Sequence, residues 1–95
     1  MKLVTATLAA LLAGAAAQAA EAPAGALACS GCHSAASGVD AAPARLIGMK
    51  AEQIEAAMQQ FRSGARAATV MDRIAKGFTD QETLAIAAWY AAQSN

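Results

Sequence analysis

The stretch Cys29-Ser30-Gly31-Cys32-His33 sets the fold predicted for this chain of 95 residues. Two cysteines three positions apart on a helix lie on the same face, so both sulfurs can bond to one edge of a single large group. The histidine that follows directly presents an imidazole toward the centre of that group. It is the only histidine in the sequence, so no other imidazole competes for the role.

This C-x-x-C-H pattern is typical of covalent haem c attachment, in which the cysteines bond the porphyrin vinyl groups and the histidine ligates the iron. A disulfide between Cys29 and Cys32 would close too small a loop to stabilise much, and a redox-active pair would need a βαβ context that is absent. A zinc site would need four ligands, whereas only two cysteines and one histidine exist. We therefore predict one covalently bound haem c, with His33 as an axial ligand of its iron.

The composition indicates that the interior needs such a group. Hydrophobic residues make up 57% of the chain and charged residues 15%, which excludes a disordered or acidic-tail protein. However, 30 residues are alanine and only four are aromatic, so side chains alone can build only a thin core. Seven basic residues balance seven acidic ones, which argues against a nucleic-acid partner.

The first 19 residues have the pattern of a secretory signal peptide. Lys2 supplies a positive start, the run from Leu3 to Ala16 is apolar, and Ala17-Gln18-Ala19 is an A-x-A cleavage site. An uncleaved membrane anchor is the alternative, but the run is alanine-rich and contains polar residues. We predict a cleaved signal peptide over residues 1–19, one monohaem domain over residues 20–95, and a periplasmic protein with no membrane span after cleavage.

The exported part is predicted to be all-α, with about four helices and a long loop. The first helix is expected from about Pro23 to about His33. From Ser34 to Met49, Gly38, Asp40, Pro43 and Gly48 break any helical period, so this stretch is expected to be a loop that wraps around a bulky group. A second helix is predicted from Lys50 to just before Gly64, with one apolar stripe formed by Ile54, Ala57, Met58 and Phe61.

Two Ser/Thr-x-x-Asp/Glu sequences predict where the other helices begin, because the hydroxyl and the acid each cap a backbone N–H. The stretch Thr69–Asp72 is predicted to open a short helix that Gly77 ends in a left-handed conformation. The stretch Thr79–Glu82 is predicted to open the terminal helix, from about Asp80 to Gln93. The apolar face of that helix is expected to consist of Leu84, Ala85, Ala88, Trp89 and Ala92.

A haem iron has a sixth position, and a methionine thioether there raises the reduction potential. Met58 belongs to the apolar stripe of the second helix and is interpreted as a core residue. Met49 lies at the junction of loop and helix, where it can only pack nearby. Met71, near the start of the short helix, is predicted as the distal ligand, with an open or water-bound site as the alternative.

The chain after the signal peptide resembles a class I c-type cytochrome over nearly its whole length. Besides the haem-binding motif, the matching stretches are Ala42–Gly48, Phe61–Arg66 and Thr69–Gly77. The last two are similar to small periplasmic cytochromes that include the haem subunit of flavocytochrome c sulfide dehydrogenase. The resemblance implies a small cytochrome c fold around one haem, with the axial sulfur on Met71 and the carbonyl of Pro43 facing the haem-ligating histidine.

The resemblance also bears on packing around the haem. Gly25 stands where many relatives have an aromatic residue, and Trp89 is expected to lie across Gly25 and Ala28 because small side chains let helices approach closely.

Three arginines are candidates to neutralise the haem propionates, with solvated surface arginines as the alternative. These are Arg45, Arg62 and Arg66.

With both axial positions filled by protein, the expected function is outer-sphere transfer of one electron rather than catalysis at the iron. The resemblance implies an electron acceptor subunit or partner of a sulfur-oxidising flavoprotein dehydrogenase. A freely diffusing electron carrier to a terminal oxidase or photosynthetic reaction centre is the alternative. A ligand sensor or small peroxidase, in which Met71 is displaced from the iron, is a third hypothesis.

Overall fold

The computed structural model describes residues 21–38 and 41–93, and these residues contain four helices and no strand. The helices are α1 (Ala26–Cys29), α2 (Ala51–Ser63), α3 (Met71–Ala75) and α4 (Asp80–Ala92). The prediction of an all-α fold with about four helices is confirmed. Among these helices, none combines the length and the hydrophobicity that a membrane crossing requires. The predicted signal peptide lies outside the described residues, so its cleavage and the domain boundary stay predictions.

Helices α2 and α4, each of 13 residues, form the frame on which the shorter helices pack. At the start of α2, the Lys50 N–H donates to the side-chain oxygen of Gln53 at 3.0 Å. The helix ends at Gly64, whose φ of 81° is the left-handed conformation that glycine adopts at little cost. Helix α2 packs against α3 and α4, and α4 packs against α1. The buried core between them consists of Ala26, Ile54, Ile86, Ala87 and Tyr90.

Helix α4 begins as its sequence predicts. The hydroxyl of Thr79 accepts a hydrogen bond from the Glu82 N–H at 3.1 Å, and the Thr79 N–H donates to the Glu82 carboxylate at 2.9 Å. These two bonds, the backbone one first, lower the pKa of Glu82 below its ordinary value because they favour the carboxylate. The predicted capping box at residues 79–82 is therefore confirmed.

The buried face of α4 differs from the expected one. The helix buries Thr83, Ile86, Ala87 and Tyr90, whereas Leu84 is 50% exposed and the predicted alanines face outward. Trp89, also predicted for the apolar face, is partly buried and packs against the core. The expectation was wrong because every residue from Leu84 to Ala92 is apolar or aromatic. Without polar residues to mark the solvent side, only contacts with other helices decide which stripe is buried.

Helix α3 begins and ends differently from the prediction. Its first residue is Met71, so Val70 holds the N-cap position and no side chain caps the helix. Thr69 lies one residue too early to act as the cap, and the predicted capping box is wrong at this position. At the other end, Lys76 closes the helix in a right-handed conformation, and Gly77 is not among the described glycines with positive φ.

Helix α1 is much shorter than the predicted helix from residue 23 to residue 33. Gly25, directly before it, has a φ of 85°, and this left-handed conformation prevents the helix from starting at Pro23. The side chain that covers Gly25 is Phe78 rather than Trp89, since a Cβ atom on Gly25 would lie 2.6 Å from the Phe78 ring. This close approach explains why an aromatic residue does not fit at position 25.

Candidate haem site

A cleft of about 900 Å³ is bordered by α1, the following loop, α2 and α3. Within the described residues α1 and α3 do not pack against each other, although residues of both line the cleft. Its volume lies in the range of pockets that hold organic ligands, roughly 300–1,000 Å³. The lining is mostly apolar, and it includes the whole predicted stripe of α2, namely Ile54, Ala57, Met58 and Phe61.

Two parts of this lining carry the predicted ligands. The motif wall consists of Gly25, Ala28, Cys29, Cys32 and His33. The α3 wall consists of Thr69, Val70, Met71 and Ile74. The structure therefore brings all four predicted attachment and ligand residues to one cleft. The most distant two, Cys29 and Met71, are 42 positions apart in the sequence.

The two cysteines of the motif wall are not joined in a disulfide. Cys29 is half-buried, and its thiol donates a weak hydrogen bond to the Gly25 carbonyl at 3.6 Å. Burial raises the pKa of the Cys29 thiol above its ordinary value, which its own backbone partly opposes. Cys32 is exposed. In the described part of the chain, no three His, Cys, Asp or Glu side chains are grouped so that they could hold a metal ion.

His33 is oriented by a backbone carbonyl. Its Nδ1 lies 2.5 Å from the oxygen of Ala44, and because a carbonyl only accepts, Nδ1 carries the proton. That tautomer leaves the lone pair of Nε2 for a metal. The resemblance implied the Pro43 carbonyl in this position, and this is wrong by one residue. Neighbouring carbonyls of a non-helical chain point in different directions, so only one can face the ring; Pro43 itself lines the cleft.

Three methionines line the cleft, but they differ in their surroundings. Met49 and Met58 also pack against the buried core, in agreement with their interpretation as packing residues. Among the described residues, Met71 is not one of the side chains that pack against the buried core. Beside it on the α3 wall, Val70 is 45% exposed and Ile74 is 42% exposed. Large apolar side chains that line a cleft yet face solvent fit a bulky apolar group as their cover.

The three candidate arginines have different environments. Arg62 forms an ion pair with Asp80 at 2.5 Å and donates to the Phe78 carbonyl, so it is not available to a propionate. Arg66 lines the cleft and lies over the Phe61 ring at 5.0 Å. Arg45 does not line the cleft, and its Nε atom is buried without a hydrogen-bond partner in the described residues, so the structure does not place this group where a propionate would lie.

The structure also shows polar contacts to the motif that the sequence did not indicate. The hydroxyl of Tyr90 donates to the Ala26 carbonyl at 2.5 Å and lies 2.7 Å from the hydroxyl of Ser30. Burial raises the pKa of the Tyr90 hydroxyl, so this group stays protonated. Tyr90 lies on the α4 stripe that runs through Thr83, Ile86 and Ala87, and the helical spacing of that stripe was the available signal.

Comparison with known proteins gives one informative match. The chain is 38% identical over 64 residues to the cytochrome subunit of sulfide dehydrogenase from Chlorobaculum tepidum. The aligned region covers 67% of this chain but only 58% of that relative, less than two thirds of its length. No protein-family model matches the sequence, and no solved structure matches it. The match supports a cytochrome c-like relationship without assigning the chain to a specific class.

Proposed function

We propose that this protein transfers single electrons in the periplasm through one covalently bound haem c. Cys29 and Cys32 would attach the haem, and His33 and Met71 would ligate its iron. The observation that carries the proposal is that these four side chains line the same cleft, whose lining is otherwise mostly apolar. When bound, the haem would supply an Fe(III)/Fe(II) couple, and with His33 and Met71 both holding the iron the expected chemistry is electron transfer rather than catalysis.

The chain's own residues orient the group and control its surroundings. The Ala44 carbonyl holds the Nδ1 proton of His33 and so directs Nε2 toward the metal position. Apolar residues of α2 and α3 keep water away from the cleft, which disfavours the more highly charged oxidised state. Arg66, which lines the cleft, is the arginine proposed to hold a propionate.

A sulfide-oxidising dehydrogenase is the proposed electron donor. The relative described above is by name the cytochrome subunit of a sulfide dehydrogenase. The resemblance of the stretches Phe61–Arg66 and Thr69–Gly77 to the haem subunit of flavocytochrome c adds that the partner chain contains flavin. In this proposal the protein accepts electrons from the flavoprotein and passes them on, and it is not itself the enzyme.

A haem stain tests whether the group is present and covalently held. The full chain is exported from a cell that has a c-type haem assembly system, and its pyridine haemochrome spectrum is recorded. We expect a coloured protein whose haem stays with the polypeptide in a denaturing gel. Its measured mass is expected to match a chain that starts at residue 20 and carries one haem. The double variant Cys29→Ser/Cys32→Ser is expected to lose the covalent haem. A colourless wild-type protein that is compactly folded would contradict the proposal.

Co-purification tests the partner. An affinity tag at the C-terminus is used to isolate the protein from its native host under mild conditions. We expect it to bring down a flavin-containing chain that reduces it when sulfide is added. A lone monomer in gel filtration would contradict the subunit proposal and favour a freely diffusing carrier.

A further inference from the structure

We propose that the Tyr90 hydroxyl is a positioning group for the haem-binding motif, because it bonds both to the backbone of α1 and to the Ser30 side chain within the motif. This inference rests on the proposed haem site and assigns to it a residue on the terminal helix. Tyr90 does not act on the haem directly. It acts through Ser30, which stands between the two cysteines.

The direction of each hydrogen bond follows from counting protons. The Tyr90 side chain has one hydroxyl proton to donate, and the Ala26 carbonyl can only accept. The Tyr90 hydroxyl therefore donates to the Ala26 carbonyl oxygen at 2.5 Å. The same oxygen must then accept the proton of the Ser30 hydroxyl at 2.7 Å. One oxygen atom on α4 therefore links the first residue of α1 to the residue that directly follows this helix.

The motif needs such a link because α1 cannot hold its own shape. It has four residues, no side chain caps its N-terminus, and helices this short are unstable in isolation. Tyr90, in contrast, is 0% exposed and belongs to a helix of 13 residues with a formed capping box. The rigid element thus fixes the weak one, and the fixed point lies one residue from Cys29 and two from Cys32.

A structural role alone would make Tyr90 important through its ring, which fills the core. The hydroxyl is separable from the ring, because Tyr90→Phe keeps the packing and removes only the hydrogen bonds. Ser30→Ala removes the other partner at an exposed position, where the loss of a hydroxyl leaves little to repack. Thr79→Ala is the matched control, since it weakens α4 by removing its cap without touching the motif.

Equilibrium redox titration of the three holoprotein variants tests the inference. We expect Tyr90→Phe and Ser30→Ala each to change the equilibrium constant for electron exchange with a fixed mediator by about threefold, the order expected from part of one hydrogen bond. The two changes should have the same sign, and the double variant should show no more than one of them. Thr79→Ala should lower the unfolding midpoint and leave this constant unchanged.

The outcomes separate the inference from the function on which it rests. If the wild-type protein carries haem and Ser30→Ala keeps its redox equilibrium and its electron paramagnetic resonance spectrum, the positioning role is wrong. This holds even if Tyr90→Phe fails to fold. If the two variants shift the equilibrium independently, so that their effects add, the shared hydrogen bond is also wrong. A wild-type protein without haem would overturn the proposed function itself.

Discussion

The motif wall and the α3 wall of the cleft are held in place by different interactions. On the motif wall, the Ala44 carbonyl bonds to His33, and behind the wall the Tyr90 hydroxyl bonds to Ser30, the residue next to Cys29. The α3 wall belongs to a helix of five residues without a side-chain cap, and its Val70 side chain is 45% exposed. An imidazole ligand needs a fixed tautomer and ring orientation, which hydrogen bonds supply, whereas a thioether needs only to be placed nearby. Under the proposed function, His33 is therefore held by the protein itself, whereas Met71 would depend on packing against the haem.

The largest effect is expected from His33→Ala, which removes the proposed iron ligand of the motif wall. Without an imidazole at this position the motif cannot hold the iron, and no second histidine exists in the sequence to replace it. We expect most of the covalent haem to be lost, as measured by haem staining per unit of protein. A variant that retained wild-type haem content and absorption would contradict the assignment of His33.

Met71→Ala is expected to have the next largest effect and to leave the haem attached. Loss of the thioether should lower the reduction potential and open the sixth position, so that the reduced protein binds carbon monoxide. Absorption spectra with and without carbon monoxide, together with a redox titration, measure both changes. Met58→Ala is the control, because Met58 lines the same cleft but also packs against the core. If Met58→Ala allowed carbon monoxide to bind and Met71→Ala did not, Met58 rather than Met71 would be the iron ligand.

A pair of threonine variants compares the helix starts behind the two walls. Thr79→Ala removes a formed cap from α4, which supports the motif wall, and we expect it to lower the free energy of unfolding by about 1 kcal/mol. Thr69→Ala changes a similar sequence next to α3 where no side-chain cap exists, and its cost should be much smaller. Denaturant unfolding of both variants measures the difference. Equal costs would show that a Thr69 cap forms in solution.

The smallest effect concerns pH and involves Glu82. Its pKa is lower in the folded protein than in the unfolded chain, so the carboxylate contributes stability above its unfolded pKa. That contribution is lost as the pH falls through the folded pKa. The amide of Glu82→Gln can still accept the Thr79 N–H bond but does not titrate. We therefore expect a weaker loss of stability in acid for this variant than for the wild type, and identical acid profiles would contradict the role of the carboxylate.

The parts of the molecule that the sequence predicted are those specified by local signals. The period of Ile54 and Phe61 indicated α2, and the Thr79 capping box indicated the start of α4. Cys29, Cys32 and His33, which lie within five positions of sequence, line one cleft in the structure, while their role as haem-binding residues stays a prediction. Each of these signals lies within a few residues of the feature that it predicts.

The parts that the sequence did not predict depend on residues far apart in the chain. Helix α1 is short because Gly25 turns left-handed beneath the Phe78 ring, a contact across more than half of the described chain. The buried face of α4 is determined by the neighbouring helices, since its residues from Leu84 to Ala92 are all apolar or aromatic. The choice of Ala44 over Pro43 depends on the path of the whole loop. None of these contacts leaves a pattern in the nearby sequence.

The exposed Val70 and Ile74 bear on how the protein is made in the cell. Under the proposed function, a newly exported chain exposes these apolar side chains until haem enters the cleft. Exposed apolar surface promotes aggregation and proteolysis. Formation of the thioether bonds keeps the haem in the cleft permanently, so these side chains stay covered and the risk of aggregation and proteolysis falls. Cellular abundance of the protein should therefore follow the supply of haem and the capacity of its ligation machinery more closely than the rate of translation.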